Sequence, residues 1–94
     1  MDIYWYYYTR TLGDDAYQVV ATSRPVGKRY PGWQPATPQR VFSLLNVRQI
    51  KRFTVLDFVE LERKPTPTDF PTDLCAWVER NPNAFEVVPD FPAN

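Results

Sequence analysis

The 94-residue chain contains no histidine and a single cysteine, Cys75. Without histidine there is no imidazole base, no Ser-His or Cys-His nucleophile pair and no nitrogen ligand for zinc. Neither a GxGxxG nor a GxxxxGK[ST] phosphate loop occurs. Carboxylates are the remaining acid–base material. Glu60 and Glu62 stand two apart, so on a strand they share a face about 7 Å from one another. That spacing suits a cation or an acid/base pair, and it equally suits the solvated face of an edge strand, which is the expectation here. Asp14 and Asp15 have the composition of a hairpin turn. Cys75 near the start of a helix would gain thiolate character, but beside an apolar stripe it is expected to act as a small buried hydrophobe. These residue types point away from catalysis, cofactors and metals, and toward binding.

Binding chemistry concentrates in the middle of the chain. Between Ala16 and Leu56 lie seven basic residues (Arg24, Lys28, Arg29, Arg40, Arg48, Lys51 and Arg52) and no acid. From Asp57 to Asn94 there are eight acids against Arg63, Lys64 and Arg80. The first fifteen residues hold Asp2, Asp14 and Asp15 against Arg10, so the three segments carry −2, +7 and −5 and sum to the net charge of zero. In the segment from Arg24 to Trp33, the cations Arg24, Lys28 and Arg29 are interleaved with Tyr30 and Trp33, and Arg48, Lys51 and Arg52 form a second basic cluster. Cations that neutralise phosphates beside rings that stack on bases are what a single-stranded nucleic-acid site requires. Tyr, Trp and Arg also dominate protein interfaces. A third use is internal: the loop folds onto the acidic half of its own domain and both rings serve as anchors. Zero net charge and the lack of an RNP, KH or helix-turn-helix pattern put a protein partner ahead of nucleic acid.

Positioning this loop falls to the elements around it. Residues 2–11 read as a strand with Ile3, Trp5 and Tyr7 on one side and Tyr4, Tyr6 and Tyr8 on the other. Apolar on both faces, it belongs inside a sheet, with helices expected to cover the tyrosine face. Leu12 to Asp15 makes a turn into a second strand over 16–23. Residues 24–38 hold four prolines and two glycines, which argues for a long functional loop without regular structure. Thr37 as cap, Pro38 in the first position and Val41, Leu44 and Leu45 at helical spacing predict a short helix ending near Asn46. A strand is expected at about 51–62, with helix as the alternative over part of it. Beyond the proline-rich connector 64–71, Thr72 as cap, Asp73, the stripe Leu74, Trp77, Val78 and the terminal Arg80 predict a second helix. Residues 84–88 make a final strand, and the tail 89–94 frays.

The order β-β-α-β-α-β predicts a small α+β fold: one domain over 1–94, with a mixed four-stranded sheet and two short helices on one face. No segment approaches the roughly 20 apolar residues of a membrane span, and Met1-Asp2-Ile3 lacks a basic n-region followed by an apolar stretch. A cytoplasmic protein held together by packing rather than disulfides is expected. The function this implies is a non-enzymatic interaction module, monomeric or weakly dimeric, docking on a larger protein or protein–nucleic-acid complex. Its contacts would be Arg24, Lys28, Arg29, Tyr30, Trp33, Arg48, Lys51 and Arg52, with Glu60 and Glu62 on an acidic face. Small inhibitors or adaptors of host nucleic-acid or defence machinery, of the kind phages and mobile elements carry, would fit this description. The alternative is a single-stranded nucleic-acid-binding protein using loop 24–33.

Overall fold

The computed structural model describes residues 4–24, 32–47, 49–56 and 63–89. They form β1 (Tyr6–Thr11), β2 (Tyr17–Thr22), β3 (Gln34–Ala36), α1 (Pro38–Asn46), β4 (Ile50–Leu56), α2 (Thr72–Arg80) and β5 (Phe85–Val88). The strands make one mixed sheet in the order β3-β1-β2-β4-β5. In it β1 runs antiparallel to β2 and β3, while β2, β4 and β5 are parallel. The small α+β architecture and its two helices match the sequence expectation, but the sheet has five strands rather than four. The extra strand, β3, lies inside the segment expected to lack regular structure. Proline is tolerated there because β3 is an edge: Pro35 pairs in register with Tyr8, and a residue without an N–H leaves no gap on the side that faces no neighbour.

Local chemistry accounts for most boundaries. The β1–β2 turn closes with the Leu12 amide donating to the Ala16 carbonyl at 2.8 Å. Gly13 takes φ 123° and Asp15 takes the left-handed φ 56°, which glycine and aspartate accept more readily than other residues. The Thr37 hydroxyl accepts the Arg40 amide at 3.1 Å, and Pro38 opens α1 where its missing N–H leaves nothing unpaired. The second helix departs slightly from expectation: Thr72 is its first residue and Pro71 its N-cap, with no side-chain acceptor. At its other end Asn81 donates its side-chain amide to the Trp77 carbonyl at 2.8 Å and its backbone N–H to Val78 at 3.0 Å. The strand expected over 51–62 is β4, ending at Leu56, and residues 57–62 lie outside the described ones.

Two apolar clusters sandwich the sheet. The larger joins Trp5, Tyr7, Val19, Ala21, Phe53 and Val55 to Val41, Leu44 and Leu45 of α1 and Leu74, Trp77 and Val78 of α2. Phe70 completes it, with its ring centroid 4.6 Å from Trp5 and 5.1 Å from Phe53. The connector is pinned beside it by Trp5, whose indole N–H donates to the Asp69 carbonyl at 3.2 Å. The smaller cluster holds Tyr8, Val20, Leu56 and Trp33 on the opposite face, with Val88 against it. All the buried residues of both helices belong to the larger cluster. The helices therefore cover the Trp5–Tyr7 side of β1 and not the Tyr4–Tyr6–Tyr8 side. On that second side Tyr8 is buried, whereas Tyr4 and Tyr6 are 67% and 36% exposed and meet edge to face at 4.8 Å.

Candidate functional site

Connectivity creates a groove at one end of the sheet. Two successive crossovers, β2 through α1 to β4 and β4 through α2 to β5, join parallel neighbours. Each helix returns antiparallel to its strands, so both helix C-termini meet the starts of β4 and β5. An open groove of ≈ 650 Å³ lies there, lined by Leu45 and Asn46 from the end of α1, Ile50 and Lys51 from the start of β4, Trp77, Arg80 and Asn81 from the end of α2, and Ala84. Leu45, Ile50 and Trp77 are core residues that show it only their edges, so its exposed lining is mainly polar. Lys51 and Arg80 are exposed, and among the described residues neither pairs with a carboxylate. Asp14 and Asp15, in the turn at the same end of the sheet, do not line it.

Other residues singled out by the sequence are distributed differently. Trp33 is only 8% exposed, and the Arg10 guanidinium sits 4.7 Å from its ring centroid, so the indole is a packing anchor of the smaller cluster. Arg24 is exposed just beyond β2, where its amide donates to the Thr22 hydroxyl at 3.2 Å. Lys51 and Arg52 are neighbours in sequence but part company at an irregularity of β4: the pairing with β2 passes from Tyr17–Ile50 to Gln18–Arg52 and skips Lys51, which lines the groove. Arg52 pairs with Glu86 at 3.0 Å on the side away from the groove. Lys28, Arg29, Tyr30, Arg48, Glu60 and Glu62 lie outside the described residues. Cys75 is half-buried, and its thiol sits 3.4 Å from a Glu79 carboxylate oxygen. Desolvation and that carboxylate push its pKa up, which suppresses the thiolate.

The face opposite the helices carries a chain of polar side chains. Arg10 Nε donates to Gln18 Oε1 at 3.0 Å, Gln18 Nε2 to Thr54 Oγ1 at 3.3 Å, and Thr54 Oγ1 to Glu86 Oε1 at 2.8 Å. Arg52 closes it on the other oxygen of Glu86. Gln18 and Thr54 are 2% and 0% exposed, so this is a built internal network rather than a solvated row. Among the described residues no cluster of three or more acidic, cysteine or histidine side chains could hold a metal, and no helix is long and apolar enough to cross a membrane.

Arg80 and the asparagines of the groove escape linear inspection, because Arg80 belongs to the acidic half and meets Lys51 only through the second crossover. The alternation of strand and helix carried the relevant signal: it dictates that helix ends and strand starts share one edge. Comparison with protein-family models, with curated proteins and with solved structures found no match.

Proposed function

We propose that the chain is a non-enzymatic interaction module that docks on a larger protein partner through the groove between α1, α2 and the start of β4. The observation behind this is the convergence of Lys51 and Arg80, from opposite halves of the chain, on one mainly polar groove with no carboxylate partner among the described residues. Cations without a carboxylate partner steer association toward an acidic surface. Burial of Trp33 removes one of the two rings that a stacking site for single-stranded nucleic acid would use, which favours the protein reading over that alternative.

The test compares wild type with a Lys51→Glu/Arg80→Glu variant as bait for proteins of the native host, alongside titration with single-stranded DNA and RNA at low salt. Recovery of a partner by wild type and its loss on charge reversal support docking through the groove. Equal recovery by both baits would refute it. Oligonucleotide binding that weakens steeply with salt and needs Arg24 would move the function to nucleic acid.

A further inference from the structure

We infer that a second copy of this chain pairs with the outer edge of β5, its own β5 running antiparallel, so that two five-stranded sheets continue into one about a two-fold axis. The contact lies on the rim of the sheet and uses neither Lys51 nor Arg80, so it stands apart from docking through the groove.

The two edges of the sheet are unequal. β3 is three residues long and carries Pro35, whereas the four residues of β5 include no proline, lysine or bulge, the devices that guard an edge. Among the described residues no strand pairs with the outer side of β5. Phe85, Val87 and Val88 are only half-buried there. The one charge of the strand, Glu86, is held against Thr54 and Arg52. An open recess of ≈ 260 Å³ is lined by Val87, Val88, Pro89 and Lys64. Val87 and Val88 point to opposite faces, so a recess that both of them line lies along the rim rather than over either face.

Symmetry decides what fills it. A two-fold axis normal to the sheet carries each face into itself, so an antiparallel self-pair must centre on a residue and not between two. Centring on Glu86 would set like charges opposite one another. Centring on Val87 sets valine against valine, and Glu86 of each copy against Val88 of the other. Glu86 of one copy then arrives at the recess that Lys64 of the other lines. The Glu86 side chain is 30% exposed, which leaves it open to a second cation. Lys64 is exposed and has no carboxylate partner among the described residues. On the other face Phe85 of one copy meets Pro89 of the other. Both contacts recur across the axis, so the edge is complementary to itself. The edges that remain are two copies of β3, guarded by Pro35, and assembly stops at two.

The test combines sedimentation velocity over a dilution series with NMR of a mixed sample, in which isotope-labelled and unlabelled copies are present in equal amounts. A four-residue edge makes a small contact, in the class of weak interfaces below about 1,200 Å², so the dimer should grow in with protein concentration. The mixed sample should show contacts between copies at Val87 with Val87 and at Glu86 with Val88. Lys64→Glu, at an exposed site, should weaken self-association by about 2–30-fold through the loss of two exposed ion pairs, while the spectrum shows the fold intact. A chain that stays monomeric at NMR concentrations would overturn the inference and leave the edge to a strand of another protein. A dimer whose contacts between copies avoid β5, or one indifferent to Lys64→Glu, would overturn it as well.

Discussion

Replacing Thr54 by valine isolates the polar chain from everything else in the core. The two side chains have nearly the same shape, and Thr54 is 0% exposed, so the change removes a hydroxyl without opening a cavity. That hydroxyl accepts from Gln18 Nε2 at 3.3 Å and donates to Glu86 Oε1 at 2.8 Å. Gln18 is itself buried, and its orphaned amide would lose about 1–3 kcal/mol. Glu86 is half-exposed and keeps Arg52 at 3.0 Å, so water and the guanidinium replace its lost donor. The added methyl returns about 0.8 kcal/mol through burial. Taken at the middle of the first range, the balance is a loss of about 1 kcal/mol, which in a domain this size lowers the melting temperature by about 4–8 °C. Urea and thermal unfolding measure it. In a Gln18→Leu background the same substitution orphans no buried donor, and its effect should shrink by at least about 0.5 kcal/mol, the coupling seen between contacting groups. A Thr54→Val effect within about 0.5 kcal/mol of zero, as at an ordinary surface site, would refute the reasoning, and so would strict additivity with Gln18→Leu.

Truncating Trp33 to alanine should cost about 3–5 kcal/mol, the range for a packed large aromatic; chemical denaturation measures it, and a loss below about 1 kcal/mol would show that the ring is not an anchor. Burial, with Tyr4 as a smaller contributor, pushes the Tyr7 phenol up to about 12. A raised folded-state pKa means stability that is complete below the unfolded value of about 10 and is lost as pH climbs toward the folded one. Tyr7→Phe should therefore move the alkaline unfolding midpoint upward, and an unchanged midpoint would count against a buried phenol. The Arg63 guanidinium, which donates to Asp69 Oδ2 at 2.9 Å, is the main cause holding the Asp69 carboxyl below the usual carboxylate range. That stability exists above the unfolded carboxylate pKa and fades as pH falls through the folded one, so Asp69→Asn should destabilise at neutral pH and become indistinguishable from wild type in strong acid. A deficit that persists in acid would trace the effect to the turn at Thr66, whose amide donates to Asp69 Oδ2 at 2.7 Å, rather than to the charge.

The elements legible in the sequence are those whose signals are local. The first helix is specified by Thr37, Pro38 and the i, i+3, i+4 placement of Val41, Leu44 and Leu45, and it runs from Pro38 to Asn46. The hairpin is specified by Gly13 and its aspartates. What the sequence leaves open depends on pairing. Three residues around a proline carry no strand signal, and β3 forms because Tyr7, Tyr8 and Thr9 offer it an edge. Which side of β1 the helices take is ambiguous because both sides are aromatic; Trp5 and Tyr7 go to the helices, while Tyr8 goes to Trp33. The basic cluster of Lys51 and Arg52 reads as one patch along the chain and is divided where the pairing of β4 skips Lys51, which lines the groove while Arg52 pairs with Glu86. Arg80 enters the groove only once the order β2-β4-β5 is known.

The polar chain and the groove are linked through register. Gln18, Thr54 and Glu86 stand on β2, β4 and β5, three parallel strands, and their hydrogen bonds exist only while Val20 lies opposite Thr54 and Thr54 opposite Glu86. Apolar residues discriminate weakly here, because Phe53 and Val55 on one face and Leu56 on the other would all tolerate burial on either side. A slip of β4 by one residue sends every side chain to the opposite face. It would strand the Thr54 hydroxyl and the Gln18 amide among apolar groups, at a penalty that a mere change of hydrophobic partner does not carry. A buried hydrogen-bonded row on the helix-free face therefore does more than stabilise that face: it fixes the register of β4 between β2 and β5, and with it the strand start that lines the groove.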